Sequence, residues 1–207
     1  MSTSGSRQAD KPTASYHHGN LRETLVATGL ELLESGQSAE FSLRELARQV
    51  GVSANASYRH FSSKEELLSA MAAEGFRRLA AAQATAMQTR AAASDSFLEG
   101  GRAYVSFARQ HPALFRLMFG RFSVVNRNEE MQAAGQLAFQ GLRYGVAAVL
   151  ESDVDAAAVA TASIHAWSLV HGLSQLILDG QFDQHATDID ALVDAVLRQA
   201  AASRQKS

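Results

Sequence analysis

The chain has 207 residues, of which 46% are apolar and 7% aromatic, and its formal net charge is −2. It contains no cysteine, which excludes disulfides, thiolate metal sites and cysteine nucleophiles. Two prolines, abundant alanine and leucine, and the lack of an alternating strand pattern predict an all-α protein of about nine helices.

Hydropathy gives no sign of a membrane protein. No apolar run approaches the length of a membrane-spanning helix, and the first residues lack the hydrophobic region of a signal peptide. We therefore expect a cytoplasmic protein that makes no membrane contact. Residues 1–15 are small and polar, which predicts a disordered arm.

The first predicted helix begins after Asn20, a residue suited to cap a helix start, with Glu23 three residues later. Apolar residues recur along this helix at helical spacing, and Gly36 is placed to end it near Ser35. Phe41, in the segment that follows, is predicted to fill the core of a small N-terminal domain.

Three helix starts follow one another in the next part of the chain. Ser42 and Glu45 form a capping box for the first, and Gly51 stands where that helix must stop and the chain must turn. Ser53 is an N-cap for a second short helix that runs to about His60. Two short helices joined by a tight glycine-containing turn form a helix-turn-helix, whose second helix can enter the DNA major groove.

The third of these helices is predicted to begin at another capping box, formed by Ser62 and Glu65, and to run from Ser63 to about Gln88. A unit of about fifty residues buries little surface by itself, so this long helix is expected to buttress the helices before it. It begins beside the helix-turn-helix and ends among the later helices, which makes it a candidate lever between the two parts.

Three segments of this region resemble the DNA-binding signature of the TetR family of transcriptional regulators: Gly51-Val52-Ser53, Tyr58-Arg59-His60-Phe61 and Lys64-Glu65-Glu66-Leu67-Leu68. With the preceding helix, the resemblance covers residues 18–68. It implies an arm over residues 1–15, a helix-turn-helix DNA-binding domain over 16–62, and a helical effector-binding and dimerisation domain over 63–203. It also implies a homodimer that binds a double-stranded DNA operator.

The second short helix offers polar groups to the major groove, where hydrogen bonds at base edges discriminate sequence. Asn55 is the predicted base contact, because its amide can both donate to and accept from adenine; alternatively, it only solvates the helix start. By resemblance, Ser42, Tyr58, His60 and Lys64 hold phosphates and set the register. The full set of predicted DNA-contacting residues is Ser42, Arg44, Ser53, Ala54, Asn55, Ser57, Tyr58, His60 and Lys64.

Several of these positions allow more than one interpretation. Arg44 can reach a base edge or a phosphate, and Tyr58 is either a phosphate contact or a half-buried packing residue. Family members usually carry a small residue, often glycine, where Asn55 stands, and an apolar one where Ser57 stands. Asn55 therefore adds a side chain that can hydrogen-bond to a base edge. Ser57 removes an apolar contact from under the helix, so the packing or tilt of the helix is expected to differ from that of other family members.

Charge near the N-terminus is balanced, since residues 1–70 hold seven Lys or Arg against eight Asp or Glu. A DNA-binding domain is usually basic, so we expect modest non-specific affinity and a positive potential confined to one face. Candidates for that face are His17, His18, Arg22, Arg44, Arg59, His60 and Lys64. Arg7 and Lys11 belong to an arm that either touches DNA or is an unstructured leader.

Further helices are predicted beyond residue 90. Pro112 breaks the chain and opens a short apolar helix that stops at Gly120, and Gly180 stops a later one. The predicted segments are helices over 95–111, 112–119, 129–150, 155–179 and 188–203, with a loop over 121–128.

The helix over 155–179 is apolar nearly all round, so it must be buried on two sides, one of which can face a second subunit. The last helix is amphipathic and is predicted to join it. Two helices from each subunit would then form a two-fold four-helix bundle. The segments HPALFRLMF and AWSLVHGL also resemble a TetR subgroup whose C-terminal domain carries a Trp and His-Gly signature.

A mixed set of aromatic and polar side chains is predicted to line a cavity for a small, largely apolar effector. These residues are Arg102, Tyr104, Phe107, Trp167, His171 and Gln175. The alternative is that Trp167 and His171 fill the core. His165 and His171 do not share a helical face, so no metal pair is expected, and no cofactor is predicted.

The predicted function is a ligand-responsive transcriptional repressor that binds a pseudo-palindromic operator as a homodimer; activation stays open, because the sign depends on where the operator lies. A second hypothesis has the C-terminal domain recruit another protein instead of sensing a ligand. A third, a helical-bundle enzyme, is disfavoured because the chain has no paired Glu-x-x-His motifs, P-loop, G-x-S-x-G or H-E-x-x-H sequence.

Overall fold

A computed structural model describes residues 20–36, 41–88, 92–125, 128–183 and 188–204, and all regular structure in these ranges is helical. The predicted all-α class is confirmed. The predicted arm over 1–15, with Arg7 and Lys11, and the candidate cations His17 and His18 lie outside the described residues. The helices are α1 (Leu21–Glu34), α2 (Leu43–Val50), α3 (Ala54–Tyr58), α4 (Lys64–Met87), α5 (Ala93–Gln110), α6 (Pro112–Phe119), α7 (Arg121–Val125), α8 (Glu129–Leu150), α9 (Ala157–Leu178) and α10 (Ile189–Arg204).

The helix-turn-helix forms α2 and α3 with the predicted starts, and α3 ends at Tyr58, two residues before the predicted His60. Ser42 Oγ accepts a hydrogen bond from the Glu45 N–H while the Glu45 carboxylate accepts one from the Ser42 N–H, so the capping box is confirmed. Gly51 follows with a φ of +79°, a left-handed conformation that glycine adopts without strain. Ser53 Oγ accepts from the Ala56 N–H and fixes the start of α3.

Two predicted helix caps differ from the structure. Asn20 precedes α1, but its side chain makes no capping hydrogen bond. The second capping box is displaced by one residue, because Ser63 accepts from the Glu66 N–H and the Glu66 carboxylate accepts from the Ser62 N–H. The sequence offers two serines and two glutamates at the same spacing, so spacing alone does not choose between the registers.

The segment after Gly120 was predicted to be a loop, and this prediction is wrong for residues 121–125. They form α7, a helix of five residues. The Gly120 carbonyl accepts hydrogen bonds from both the N–H and the hydroxyl of Ser123, which closes the first turn. A helix this short shows too few apolar repeats for periodicity to reveal it.

One hydrophobic core runs from α1 to α10 and passes through α4. Leu25 in α1, Met71 in α4 and Phe115 in α6 are all inaccessible to solvent. The helices α4 and α6 approach closely at Gly75, where an added Cβ would lie 2.6 Å from Met118 Sδ. The predicted buttress is therefore a central element that packs against both ends of the chain.

Polar contacts join α1 to the later helices. The Glu130 carboxylate, in the first turn of α8, accepts hydrogen bonds from Arg22 of α1 and, at 2.7 Å, from Arg77 of α4. At the other end of α1, the Glu34 carboxylate lies 2.8 Å from His111 Nδ1, where α5 meets α6. The first helix is thus held at both ends by groups of the C-terminal part.

Burial alone would raise the pKa of Glu130, but the hydrogen bonds and charges of Arg77 and Arg22 lower it below its usual 4.5. A carboxyl whose pKa is lowered by folding stabilises the fold at neutral pH, and this stabilisation is lost as the pH falls below about 4.5. We expect Glu130→Gln to melt at a lower temperature than wild type at pH ~7. Between about pH 6 and pH 3, the melting temperature of the variant should fall by less than that of wild type.

Thermal unfolding followed by circular dichroism checks this prediction. Glu129→Gln is the matched control, since Glu129 is an exposed carboxylate in the same helical turn. Identical pH profiles for Glu130→Gln and Glu129→Gln would mean that the contact between α1 and α8 contributes nothing to stability.

The structure does not favour α10 for the predicted apolar face toward a second subunit. Val193 and Leu197 of α10 are each 5% exposed and belong to the core of their own chain. The most exposed large apolar residues of the long C-terminal helices lie instead on α8 and α9, and they are Leu137, Tyr144, Ile164 and Leu176. Within the described ranges, no helix combines the length and apolarity needed to cross a membrane.

Candidate nucleic-acid interface and internal cavities

The outer face of α3 carries Ser53 and Asn55, both exposed, with Ala54 half-buried between them. Ser57 does not share this face. It is inaccessible to solvent, and its hydroxyl donates a hydrogen bond of 2.7 Å to the Ala54 carbonyl. The prediction that Ser57 contacts DNA is therefore not supported. Its side chain lies one helical turn after the cap and points into the core, where the hydroxyl is satisfied by a hydrogen bond to the backbone of its own helix.

Residues on either side of α3 extend the exposed surface. Arg44, in the first turn of α2, and Arg59 and His60, after α3, are exposed. Tyr58 is 52% exposed, which favours a contact at the surface over the alternative of a packing residue. The Ser42 hydroxyl is also exposed but already donates to the Glu45 carboxylate at 2.8 Å, so a phosphate would have to share it.

Two aromatic rings lie beneath the cations of this surface. Lys64 Nζ is 5.7 Å from the ring centroid of Phe41, and the Arg22 guanidinium is 5.1 Å from that of Phe61. Lys64 is half-buried. Arg22 is engaged by both Phe61 and Glu130, which removes it from the predicted positive face.

The carboxylates near this surface are committed to helix caps. Hydrogen bonds from the Ser42 backbone and side chain lower the pKa of Glu45, and bonds from the Ser62 side chain and backbone lower that of Glu66. Both groups stay negative at neutral pH beside the exposed cations. The face is thus of mixed charge, which agrees with the modest non-specific affinity expected from composition.

The helices from α4 onward form the walls of two cavities, each partly open to solvent. The first, which we name the Trp167 cavity, has a volume of about 450 Å³ and lies between α4, α5, α8 and α9; its lining includes Leu79, Tyr104, Met131, Phe139 and Trp167. The second, the Met87 cavity, has a volume of about 410 Å³ and also reaches α10; its lining includes Ala80, Met87, Phe97, Ala166 and Leu197. Both volumes fall in the range of about 300–1,000 Å³ typical of small-molecule sites.

Tyr104 and Trp167 are the two predicted ligand residues that line a cavity. Trp167 Nε1 donates to the Tyr104 hydroxyl at 3.3 Å, and that hydroxyl lies 2.9 Å from His171 Nδ1. Burial raises the pKa of Tyr104 and lowers that of His171, so both are neutral at pH ~7. His171 stands behind Tyr104 and stacks on Phe115 with 5.4 Å between ring centroids.

The other predicted ligand residues have structural roles or lie elsewhere. Arg102 pairs with Asp194 of α10 and, at 3.1 Å, with Glu99 of its own helix. Phe107 is 5% exposed and belongs to the core, and Gln175 is not among the residues that line either cavity. The alternative of a core-filling role, which the sequence left open for Trp167 and His171, therefore fits His171 better than ligand contact. Phe107 also fills the core.

Sequence reasoning missed the Met87 cavity. Small residues of α4, α5 and α8 make room for it: Ala80, Ala84, Gly100, Gly101 and Gly141. A stripe of small residues at helical spacing was the available signal, but it is equally typical of close helix packing. Within the part of the chain that the structure describes, no three acidic or histidine side chains come together to hold a metal ion.

Two parts of the chain match known protein families. Residues 25–71 match the bacterial regulatory proteins of the tetR family, and residues 97–200 match the tetracyclin repressor-like C-terminal domain. Among curated proteins, none matches the chain.

Solved structures share the fold. A protein of unknown function from Rhodococcus sp. RHA1 is 32% identical, with a TM-score of 0.77 over 90% of this chain and 96% of that one. A tetR-family transcriptional regulator from Streptomyces coelicolor is 20% identical, with a TM-score of 0.69 over 87% of this chain and 78% of that one. A bacterial regulatory protein in the tetR family from Rhodococcus RHA1 is 21% identical, with a TM-score of 0.58 over 86% of this chain and 95% of that one. The chain therefore belongs to the TetR family, whose members are helix-turn-helix transcriptional regulators and not enzymes.

Proposed function

We propose that the protein is a ligand-responsive transcriptional repressor that binds a pseudo-palindromic operator as a homodimer. The observation that carries the proposal is the pairing of an exposed, firmly capped α3, which presents Ser53 and Asn55, with two cavities inside the C-terminal helices. We also propose that residues 16–62 act as the DNA-binding domain, that 63–203 bind effector and second subunit, and that the protein acts in the cytoplasm.

The exposed apolar residues of α8 and α9 support dimerisation through these two helices. Leu137 is 67% exposed and Ile164 is 51% exposed, although each is a large apolar residue on a long helix. A two-fold interface would bring the same patch of both subunits together. It would also set the spacing of the two α3 helices, which must match half-sites about 34–36 Å or a multiple apart.

The route from cavity to DNA is proposed to run through α4 and Glu130. The N-terminal end of α4 carries Lys64 at the proposed DNA surface, and its later residues Leu79 and Gln83 line the Trp167 cavity. Met131 of α8 lines the same cavity, next to Glu130, which holds Arg22 of α1. A coupling of about 1–3 kcal/mol through these contacts would change DNA affinity roughly 5–150-fold.

Footprinting on the DNA upstream of the protein's own gene tests the proposal. We expect two protected half-sites with approximate two-fold symmetry, on successive turns of one face of the duplex. Protection should disappear as salt rises, because phosphate contacts release counterions. A protein that protects no duplex even at low ionic strength would not be a DNA-binding regulator.

Asn55→Ala is expected to lower operator affinity by about 1–3 kcal/mol and to relax the preference at one base pair, because it removes a bidentate contact. Ser57→Ala is the matched control on the same helix, since the Ser57 hydroxyl bonds to its own backbone and faces away from the groove. Titration of both variants against operator and single-base mutants measures the difference. Equal losses for the two variants would exclude Asn55 as a base contact.

A further inference from the structure

The two cavities lie side by side along α4 and share a wall. The Trp167 cavity is lined by α4 residues from Phe76 to Gln83, and the Met87 cavity by those from Ala80 to Met87. At about 1.5 Å per residue, each stretch is about 10 Å long, and the two together cover about 16 Å. Four residues line both cavities: Gln83, Ala138, Leu142 and Val170.

The shared wall includes side chains that can change rotamer. Gln83 and Leu142 are half-buried, and each lies between the two cavities and lines both. Among the described residues, the Gln83 amide is held by a long hydrogen bond of 3.3 Å from Nε2 to the Gly100 carbonyl. Rotation to another staggered rotamer at these two positions would join the cavities without any movement of a helix.

The lining chemistry restricts the occupant. Among the described residues that line the two cavities, none is Asp, Glu, Lys, Arg or His. The polar lining is concentrated in the Trp167 cavity, in Tyr104, Ser123, Gln136 and Trp167, whereas Ser94 and the shared Gln83 are the polar residues of the Met87 cavity. An ionised group buried among these residues would lose its hydration without gaining a countercharge, which is strongly unfavourable.

We propose that one elongated, uncharged ligand occupies both cavities, with its polar end in the Trp167 cavity and an apolar tail that passes Gln83 into the Met87 cavity. The proposal rests on the proposed function only in that this ligand would be the effector. His171, behind Tyr104, supplies no positive charge, because burial favours its neutral form. A neutral alcohol, amide, ester or ketone with a long hydrocarbon tail has the required chemistry.

Trp167 is the only tryptophan of the chain, so its fluorescence reports occupancy of the Trp167 cavity directly. The probes are linear alkan-1-ols of about six to fourteen carbons, each paired with the alkanoate of the same length. Affinity is expected to rise about fourfold per added carbon, the worth of one buried methylene. The rise should continue to about thirteen carbons, since an extended chain covers about 1.2 Å per bond and the joined cavities about 16 Å.

Two substitutions at adjacent positions of α4 distinguish a ligand that occupies one cavity from a ligand that occupies both. Ala80→Leu adds bulk to the Met87 cavity alone, and Ala81→Leu adds the same bulk at an exposed position that lines neither cavity. Both changes keep a good helix former. In Ala80→Leu the rise in affinity should stop near eight carbons, the length of one cavity at about 1.2 Å per bond, while Ala81→Leu should follow wild type.

The wild-type series alone can overturn the proposal. A rise in affinity that stops near eight carbons in wild type, alkanoates that bind as tightly as alkanols, or no fluorescence response to any alkanol would each do so. The assay contains no DNA, so its result is separate from the footprint. A protein that ignores alkanols yet protects an operator keeps the proposed function, and one that binds alkanols yet ignores duplex DNA keeps this inference.

Discussion

Replacing Phe61 by alanine is expected to lower the free energy of unfolding by about 3–5 kcal/mol, the cost typical of emptying a fully buried aromatic site. Phe61 is inaccessible to solvent, and the Arg22 guanidinium lies over its ring. In a chain of this length, the loss corresponds to a decrease of about 6–20 °C in melting temperature. Thermal and urea unfolding measured by circular dichroism would give both quantities.

Tyr58→Ala is the control for this prediction, since Tyr58 is an aromatic residue three positions away with half of its surface exposed. Its stability should change by less than about 0.5 kcal/mol, while its affinity for DNA should fall because a proposed phosphate contact is lost. Should both variants lose the same stability, the first three helices would be held together by something other than Phe61.

A charge placed on the exposed face of α8 is expected to abolish dimerisation. Leu137→Glu would introduce two unpaired carboxylates into a two-fold interface, one from each subunit, and their desolvation is costly. The monomer should still fold, because Leu137 is 67% exposed within its own chain. Operator affinity should then fall by about 100- to 10,000-fold, since the two recognition helices are no longer linked.

Sedimentation at several concentrations and titration of operator DNA would measure the two effects. Ala81→Glu is the matched control, since it places the same charge on an exposed helical position outside α8 and α9. If Leu137→Glu sediments as wild type does, subunits do not meet through this face. A dimer through α10 is disfavoured, because its Val193 and Leu197 are already buried in their own chain.

Local signals in the sequence were sufficient for most of the helical fold. Side chains that satisfy backbone groups within four residues act through short-range geometry, so the caps at Ser42 and Ser53 and the turn at Gly51 follow from the sequence alone. Long helices such as α8 repeat their apolar pattern over several turns. Where two serines are equally suited to cap a helix, as at Ser62 and Ser63, local geometry does not determine which of them is the N-cap.

The features that escaped prediction depend on contacts between distant segments. Arg22 resembles a free surface cation in the sequence, but in the structure it is paired with Glu130, 108 positions later. Val193 and Leu197 form an apolar stripe that looks available to a partner until α5 is placed against it. The direction of Ser57 and the empty space beside Ala80 also follow from three-dimensional packing, on which residue type and spacing carry little information.

The continuity of the hydrophobic core through α4 bears on the construction of chimeric regulators. Leu67, Met71 and Leu79 of α4 are buried in the same core as Leu25 of the first helix and Leu114 of the sixth. A recognition module cut out at residue 62 would leave its inner surface uncovered and would be expected to aggregate. A graft onto another scaffold would therefore need to carry α4 at least through Leu79, together with small residues such as Gly75 that let α6 approach.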